Sequence, residues 1–259
     1  MSHWQRYHAR WSQIQPPLRP DPDVINAVRA YAGTGHTLLL GVTPELADVF
    51  DHLDAVDQNP AMIANVWPGD TTHKKAIEGN WLEIERPIGA YAAVIGDGSL
   101  NNLAWRSGIA RVLERAMRWL RPGGHFVCRV FERPPDGYSR RHLLRIASET
   151  ANINFHAFKW QVAMHLAQER GANVPVASIL DLINELFPNR DNLARVTGWP
   201  RQAIDTIDIY QGSHVSYSFP DRREFLEALP LNAVDVTFTP CGSYDLAACC
   251  PILTFHKPG

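Results

Sequence analysis

HTLLLGVTPELADVFDHLDAVDQNPAMI, residues 36–63, carries the pattern that decides the fold. Two short apolar runs, at 37–42 and 53–57, each end in a polar or glycine-containing turn, and a helix opens behind each at Pro44 and Pro60. Strands of a buried parallel sheet read as continuous apolar runs, and their carboxyl ends open onto a ligand crevice. The same unit recurs outward along the chain in IEGNWLEI (77–84), YAAVIGDGSLNNL (91–103) and LRPGGHFVCRVFERP (120–134). Strands are predicted near 75–78, 92–96 and 125–131, with a long helix from about Ala104 to Leu120 that stops at Pro122, Gly123 and Gly124.

On the amino-terminal side, QPPLRPDPD places prolines at 16, 17, 20 and 22, which forbid a continuous helix. A short aromatic helix with Trp4, Tyr7, His8 and Trp11 on one face precedes it, and PDVINAVRAYAG follows as a helix closed by Gly33. Beyond Pro135, RRHLLRIASE, FHAFKWQVAMHLAQE, ASILDLINELF and PRQAIDTIDIY fill residues 139–210 with helical patterns and no strand between them. Strands return near 233–240 and 251–257. The prediction is one α/β domain, doubly wound, with a mostly parallel seven-stranded sheet, an antiparallel final strand and a helical insertion between strands 5 and 6.

Composition narrows the class. With 45% hydrophobic residues, 20% charged and a formal net charge of −2, the chain carries no field suited to nucleic acid or to an anionic membrane. No stretch approaches the ~18 apolar residues of a membrane span. Cys128, Cys241, Cys249 and Cys250 form no CxxC pair and no spacing for zinc, so free thiols in a reducing cytoplasm are expected and no metal site is.

In order and spacing the five segments resemble the class I S-adenosylmethionine-dependent methyltransferases. The resemblance implies S-adenosyl-L-methionine as cofactor and methyl transfer to oxygen, nitrogen or carbon of an acceptor. It casts 36–135 as the cofactor-binding core, 1–35 as a lid segment, 139–210 as a substrate cover and 211–259 as the closing strands. Gly41, Val42, Thr43 and Pro44 then form the turn beside the methionine moiety, with Thr43 as a helix N-cap. This turn departs from the family's GxGxG, because Thr43 and Glu45 stand at the second and third glycine positions and Leu39 where an acidic residue often precedes the first.

Asp57 ends the second strand, where a carboxylate accepts from both ribose hydroxyls; otherwise it caps the helix from Pro60. Gln58 follows it, and Met62 flanks the adenine. Gly79, Asn80 and Trp81 form the turn facing the adenine, with Trp81 either stacked on the base or packed beneath the turn. Asp97, Gly98 and Ser99, with Asn101 and Asn102, crowd the end of the fourth strand beside the methyl group.

Methyl transfer needs a base only where the acceptor must lose a proton. Asp97, His8 and Glu132 are the candidates, with His3 beside His8; Glu132 otherwise pairs with Arg129 or Arg133. Tyr7 and Trp11 would close the lid over the methionine end, and Arg19 would meet a carboxylate of cofactor or substrate. Phe155, His156, Phe158, Trp160, His165, Trp199, Tyr210, His214 and Tyr217 read as core or as the wall of an aromatic or apolar acceptor site. The expected partner is therefore a small molecule, with a homodimer left open. A non-catalytic adenosyl-binding protein, a nicotinamide-dependent oxidoreductase and an aminopropyltransferase are the competing readings. The oxidoreductase lacks both GxGxxG and a YxxxK pair here.

Overall fold

The computed structural model describes residues 14–146 and 153–259. Seven strands, β1 (Thr37–Leu40), β2 (Leu53–Asp57), β3 (Lys74–Glu78), β4 (Tyr91–Asp97), β5 (Leu120–Arg129), β8 (Val234–Thr239) and β9 (Ile252–His256), form one sheet. Their order is β3-β2-β1-β4-β5-β9-β8. The five from β3 to β5 are parallel, and β9 runs antiparallel to β5 and to β8. The predicted doubly wound sheet with a reversed final strand is present.

The leucine run of β1 shows why a continuous apolar strand belongs at the centre. Leu38 and Leu40 pack on one face with Val94, Phe126 and helix α4 (Ser107–Trp119), while Leu39 packs on the other with Ala93, Ile95 and helix α1 (Pro22–Ala32). All three are no more than 1% exposed, and burial of each contributes about 1.5–3 kcal/mol. Helix α1 starts where the Asp21 carboxylate accepts the Val24 N–H at 2.9 Å and stops at Gly33, with φ +68°. Two short helices, α2 (Pro44–Ala47) and α3 (Pro60–Val66), follow β1 and β2.

The helical block contains α5 (Arg140–Ile146), α6 (Phe155–Arg170), α7 (Val176–Leu186), α8 (Arg190–Thr197) and α9 (Arg201–Asp205). Every residue of α6 from Phe155 to Ala167 is buried, so this helix is the block's own core element. The expectation of no strand within 139–210 is corrected. A strand β6 (Asn173–Pro175) pairs antiparallel with β7 (Ser216–Ser218), matching Val174 to Tyr217. Three residues are too few for alternation to register, and the partner lies some forty positions later. Helix α10 (Arg222–Glu227), fixed by an Asp221 and Glu224 capping box, leads into the closing hairpin.

Candidate active site

The carboxyl ends of β1, β2 and β4, the turn after β3 and the helical block enclose a cavity of about 260 Å³. Gly41, Val42, Thr43, Asp57, Gln58, Met62, Asn80, Trp81, Asp97, Gly98 and Ser99 line it; Pro44, Gly79 and Glu132 do not. Gly41 holds φ at +109°, and no atom lies within 4 Å of the place a Cβ would take. A ligand meets bare backbone there, in a conformation that favours glycine. Thr43 occupies the N-cap of α2, but its side chain makes no capping bond, contrary to expectation. Pro44 takes the first helical position, where its fixed φ is suited, and stays outside the lining.

At the end of β2, Asn59 caps α3, its Oδ1 accepting the N–H groups of Ala61 at 2.9 Å and Met62 at 3.4 Å. Asp57 is thereby released from that task. Its carboxylate accepts the Asn59 N–H at 2.8 Å, which leaves it capacity for further donors. Burial pushes its pKa up to about 6, against the opposing pull of that N–H. After β3, Trp81 donates its indole N–H to Val56 O at 2.6 Å, and Asn80 Oδ1 accepts the Leu82 N–H at 3.0 Å. The ring of Trp81 is thus both anchored beneath the turn and part of the cavity wall. Gly79 answers a packing need instead, since a Cβ there would stand 2.5 Å from Ile84 Cδ1.

The polar cluster after β4 closes on itself. Arg129, at the end of β5 and fully buried, grips Asp97 through Nε to Oδ1 at 2.5 Å and Nη2 to Oδ2 at 2.9 Å. It also donates to Tyr244 Oη at 2.7 Å and to Pro17 O at 2.8 Å. Burial raises the Asp97 pKa, and the guanidinium opposes that rise. Both oxygens of Asp97, a candidate base, are thus engaged in a buried ion pair.

Ser99 donates to Leu40 O at 2.6 Å, and Asn102 to Gly98 O at 3.1 Å. Asn101 donates to Phe131 O at 2.7 Å and Ser218 O at 2.6 Å while accepting the Phe131 N–H at 2.9 Å. This amide ties the β4 loop to β5 and to the helical block at once. Gly98, with φ +65°, lets the Phe131 ring approach to 2.7 Å from where a Cβ would be. Glu132, the other carboxylate expected as a candidate base, is also paired, though with neither Arg129 nor Arg133. Arg222 holds it at 2.6 Å and 2.5 Å, while Arg133 pairs with Asp221 at 3.1 Å and Glu224 at 2.8 Å.

From the helical block, Trp160 and Tyr217 complete the wall. Trp160 meets Phe131 and Tyr217 edge to face, both at 5.5 Å between centroids. Phe155 and Phe158 pack on Trp199 at 5.6 Å and 5.1 Å as core, so the aromatic stripe divides between the two roles. Among the described residues no group of three or more His, Cys, Asp or Glu could hold a metal ion, and no helix is long and apolar enough to cross a membrane.

No protein-family model matches the chain, and no curated protein matches its sequence. Solved structures do match its shape. The N-methyltransferase NodS of Bradyrhizobium japonicum WM9, in complex with S-adenosyl-L-homocysteine, superposes over 100% of both chains with a TM-score of 0.50 at 12% identity. An S-adenosylmethionine-dependent methyltransferase of Mesorhizobium loti gives 0.50 at 12% over 96% of this chain and 98% of its own. A Rhodobacter sphaeroides protein provisionally labelled a zinc-dependent alcohol dehydrogenase gives 0.57 at 10% over 99% and 97%. The fold is that of the class I S-adenosylmethionine-dependent methyltransferases.

On this methyltransferase fold the departures from the glycine turn have visible partners. Glu45, at a glycine position of the family pattern, pairs with Arg19 Nε at 2.7 Å, so Arg19 meets a carboxylate of the chain itself. Leu18 enters the cavity wall directly after two anchored carbonyls, Pro16 O held by Asn154 Nδ2 at 2.9 Å and Pro17 O held by Arg129. His3, Tyr7, His8 and Trp11 lie outside the described residues. Sequence reading missed Leu18, Phe131 and Arg129 as site residues. Arg129 had a signal in FVCRVFERP, because a charge inside an apolar strand requires a buried partner.

Proposed function

We propose that this protein transfers a methyl group from S-adenosylmethionine to a small-molecule acceptor. The observation that carries this reading is Asp57, a carboxylate in the cavity wall held by one backbone N–H, with acceptor capacity left for two hydroxyls. Gly41 would let the methionine moiety approach backbone, and Met62 and Trp81 would flank the base. Bound there, the cofactor supplies a methyl group already activated on a sulfonium. What remains for the chain is alignment and exclusion of water, and a cavity roofed by Leu18, Trp160 and Tyr217 suits both tasks. Residues 1–35 would act as lid and 139–210 as substrate cover. NodS, crystallised with S-adenosyl-L-homocysteine, supports the cofactor assignment by fold analogy.

The test is calorimetric titration with adenosylmethionine, adenosylhomocysteine and NAD, repeated on Asp57→Ala. Micromolar binding of the adenosyl compounds alone, lost in the variant, is the expected result. Binding of NAD instead would move the reading to the oxidoreductases, which share this fold class. Binding of neither adenosyl compound would leave a non-catalytic protein on a methyltransferase scaffold.

A further inference from the structure

Lys159 is the one lysine of the four in the chain that is buried, at 1% exposed, in α6. Its ammonium has no hydrogen bond or ion pair among the described residues. It lies 5.4 Å from the Trp160 centroid and 5.0 Å from that of Tyr210, over the ring faces. Cation–π contact of this kind returns far less than a buried ammonium loses in leaving water. Burial alone accordingly lowers its pKa to about 7.

The neighbouring position repeats the pattern. Trp160 is 4% exposed, lines the cavity, and leaves its indole N–H buried without an acceptor. Two donors without acceptors, one able to carry charge, are thus adjacent in the chain: Trp160 lines the cavity, and Lys159, outside that lining, sets its ammonium over the Trp160 ring. Buried polar groups are otherwise paired in the great majority of cases. The other buried cation near the cavity, Arg129, is already neutralised by Asp97.

We propose that the methyl acceptor is an aromatic or apolar weak acid whose ionised oxygen is received by Lys159 Nζ and Trp160 Nε1. This rests on the methyl-transfer reading for the word acceptor, and on the helical block alone for the chemistry recognised. Phe131, Trp160 and Tyr217 offer ring edges and faces to a planar body, and the two donors supply the polar fix that orients it. Either a carboxylate or a phenolate satisfies that geometry.

Calorimetry with adenosylhomocysteine comes first and reports on the cofactor reading alone. Protein labelled with 15N-lysine is then titrated, with and without adenosylhomocysteine, against 4-nitrophenol, 4-nitrobenzoate and the neutral 4-nitroanisole. The expected result is at least tenfold tighter binding of one acid than of the ether, with a shift of the Lys159 Nζ signal. The arm that binds separates phenolate from carboxylate. Lys159→Met should remove the preference without lowering the unfolding midpoint, and Trp160→Phe should weaken the acid several-fold while keeping the ring. Equal binding of acid and ether, no binding of either acid, or a preference that survives Lys159→Met would each overturn the proposal. Any of these results can stand beside intact adenosylhomocysteine binding, so the two readings fail separately.

Discussion

Two strand ends of the same sheet carry an aspartate, and the chain treats them in opposite ways. At the end of β4, Asp97 is locked by Arg129, which also holds Tyr244 and Pro17. At the end of β2, Asp57 receives one backbone N–H, because the adjacent Asn59 has taken over helix capping. Both carboxyls have their pKa raised by burial, yet only the first is matched by an opposite charge. One rim position has spent its polarity on structure, and the other keeps acceptor capacity in the cavity wall.

The largest effect should come from breaking the matched side. Asp97→Asn leaves the Arg129 guanidinium buried without a counter-charge and should lower unfolding stability by about 3–5 kcal/mol, measured by urea denaturation. Asp97→Leu combined with Arg129→Met should recover most of that loss, since an apolar pair is often as stable as a buried ion pair. A loss below about 1 kcal/mol in the single variant would mean the contrast between the two rims is not energetic.

The opposite outcome is expected at β2. Asp57→Ala should weaken adenosylhomocysteine binding roughly 100-fold, from about 2–3 kcal/mol of charge-assisted hydrogen bonds. Asp57→Asn should raise the unfolding midpoint of the free protein at pH 8. The sign follows from a folded pKa of about 6 against the ordinary carboxyl value of 3.8: the ionised group opposes folding above about 6, and this opposition is relieved as pH falls through that window. Ligand binding runs the other way, because the ionised form accepts the hydroxyls. Affinity should be flat above pH 6 and fall roughly tenfold per unit below it. A flat affinity profile down to pH 4.5 would remove Asp57 from the contact.

The difference between the rims also explains what could be read from the chain alone. Strand positions were legible because LLL, LDAV and YAAVI can be buried only as central strands, and Asp57 was legible because it ends one. The self-closed state of Asp97, Ser99 and Asn101 was not, since their partners Arg129, Leu40, Phe131 and Ser218 lie 30 to 117 positions away in sequence. A local cluster of polar residues looks the same whether its bonds go to a ligand or to distant backbone. Lys159 was hidden for a related reason: α6 is buried all round, so its sequence shows no polar face against which a misplaced lysine would stand out.

A smaller effect should follow from Gly41→Ala. Its φ of +109° is strained for any residue with a Cβ, which costs about 1–2 kcal/mol of stability. Because nothing lies within 4 Å of that Cβ, no protein atom need move. Adenosylhomocysteine affinity should fall further than stability does, and an affinity loss that merely tracks the unfolding midpoint would place the ligand away from this turn.

The smallest effect tests how the segment before α1 is held. Arg19 and Glu45 form a part-exposed pair, with side chains 29% and 17% accessible, and such pairs contribute about 0.5–1 kcal/mol in water. Arg129, fully buried and bonded to Pro17 O, is the stronger fastening of the same segment. Arg19→Met should therefore move the unfolding free energy by less than about 1 kcal/mol and the adenosylhomocysteine Kd by less than about threefold, with the difference vanishing at high salt. A tenfold loss of affinity with unchanged stability would mean that Arg19 leaves Glu45 for the ligand carboxylate when the site fills. The polarity kept for a ligand would then extend from the β2 rim to the β1 turn.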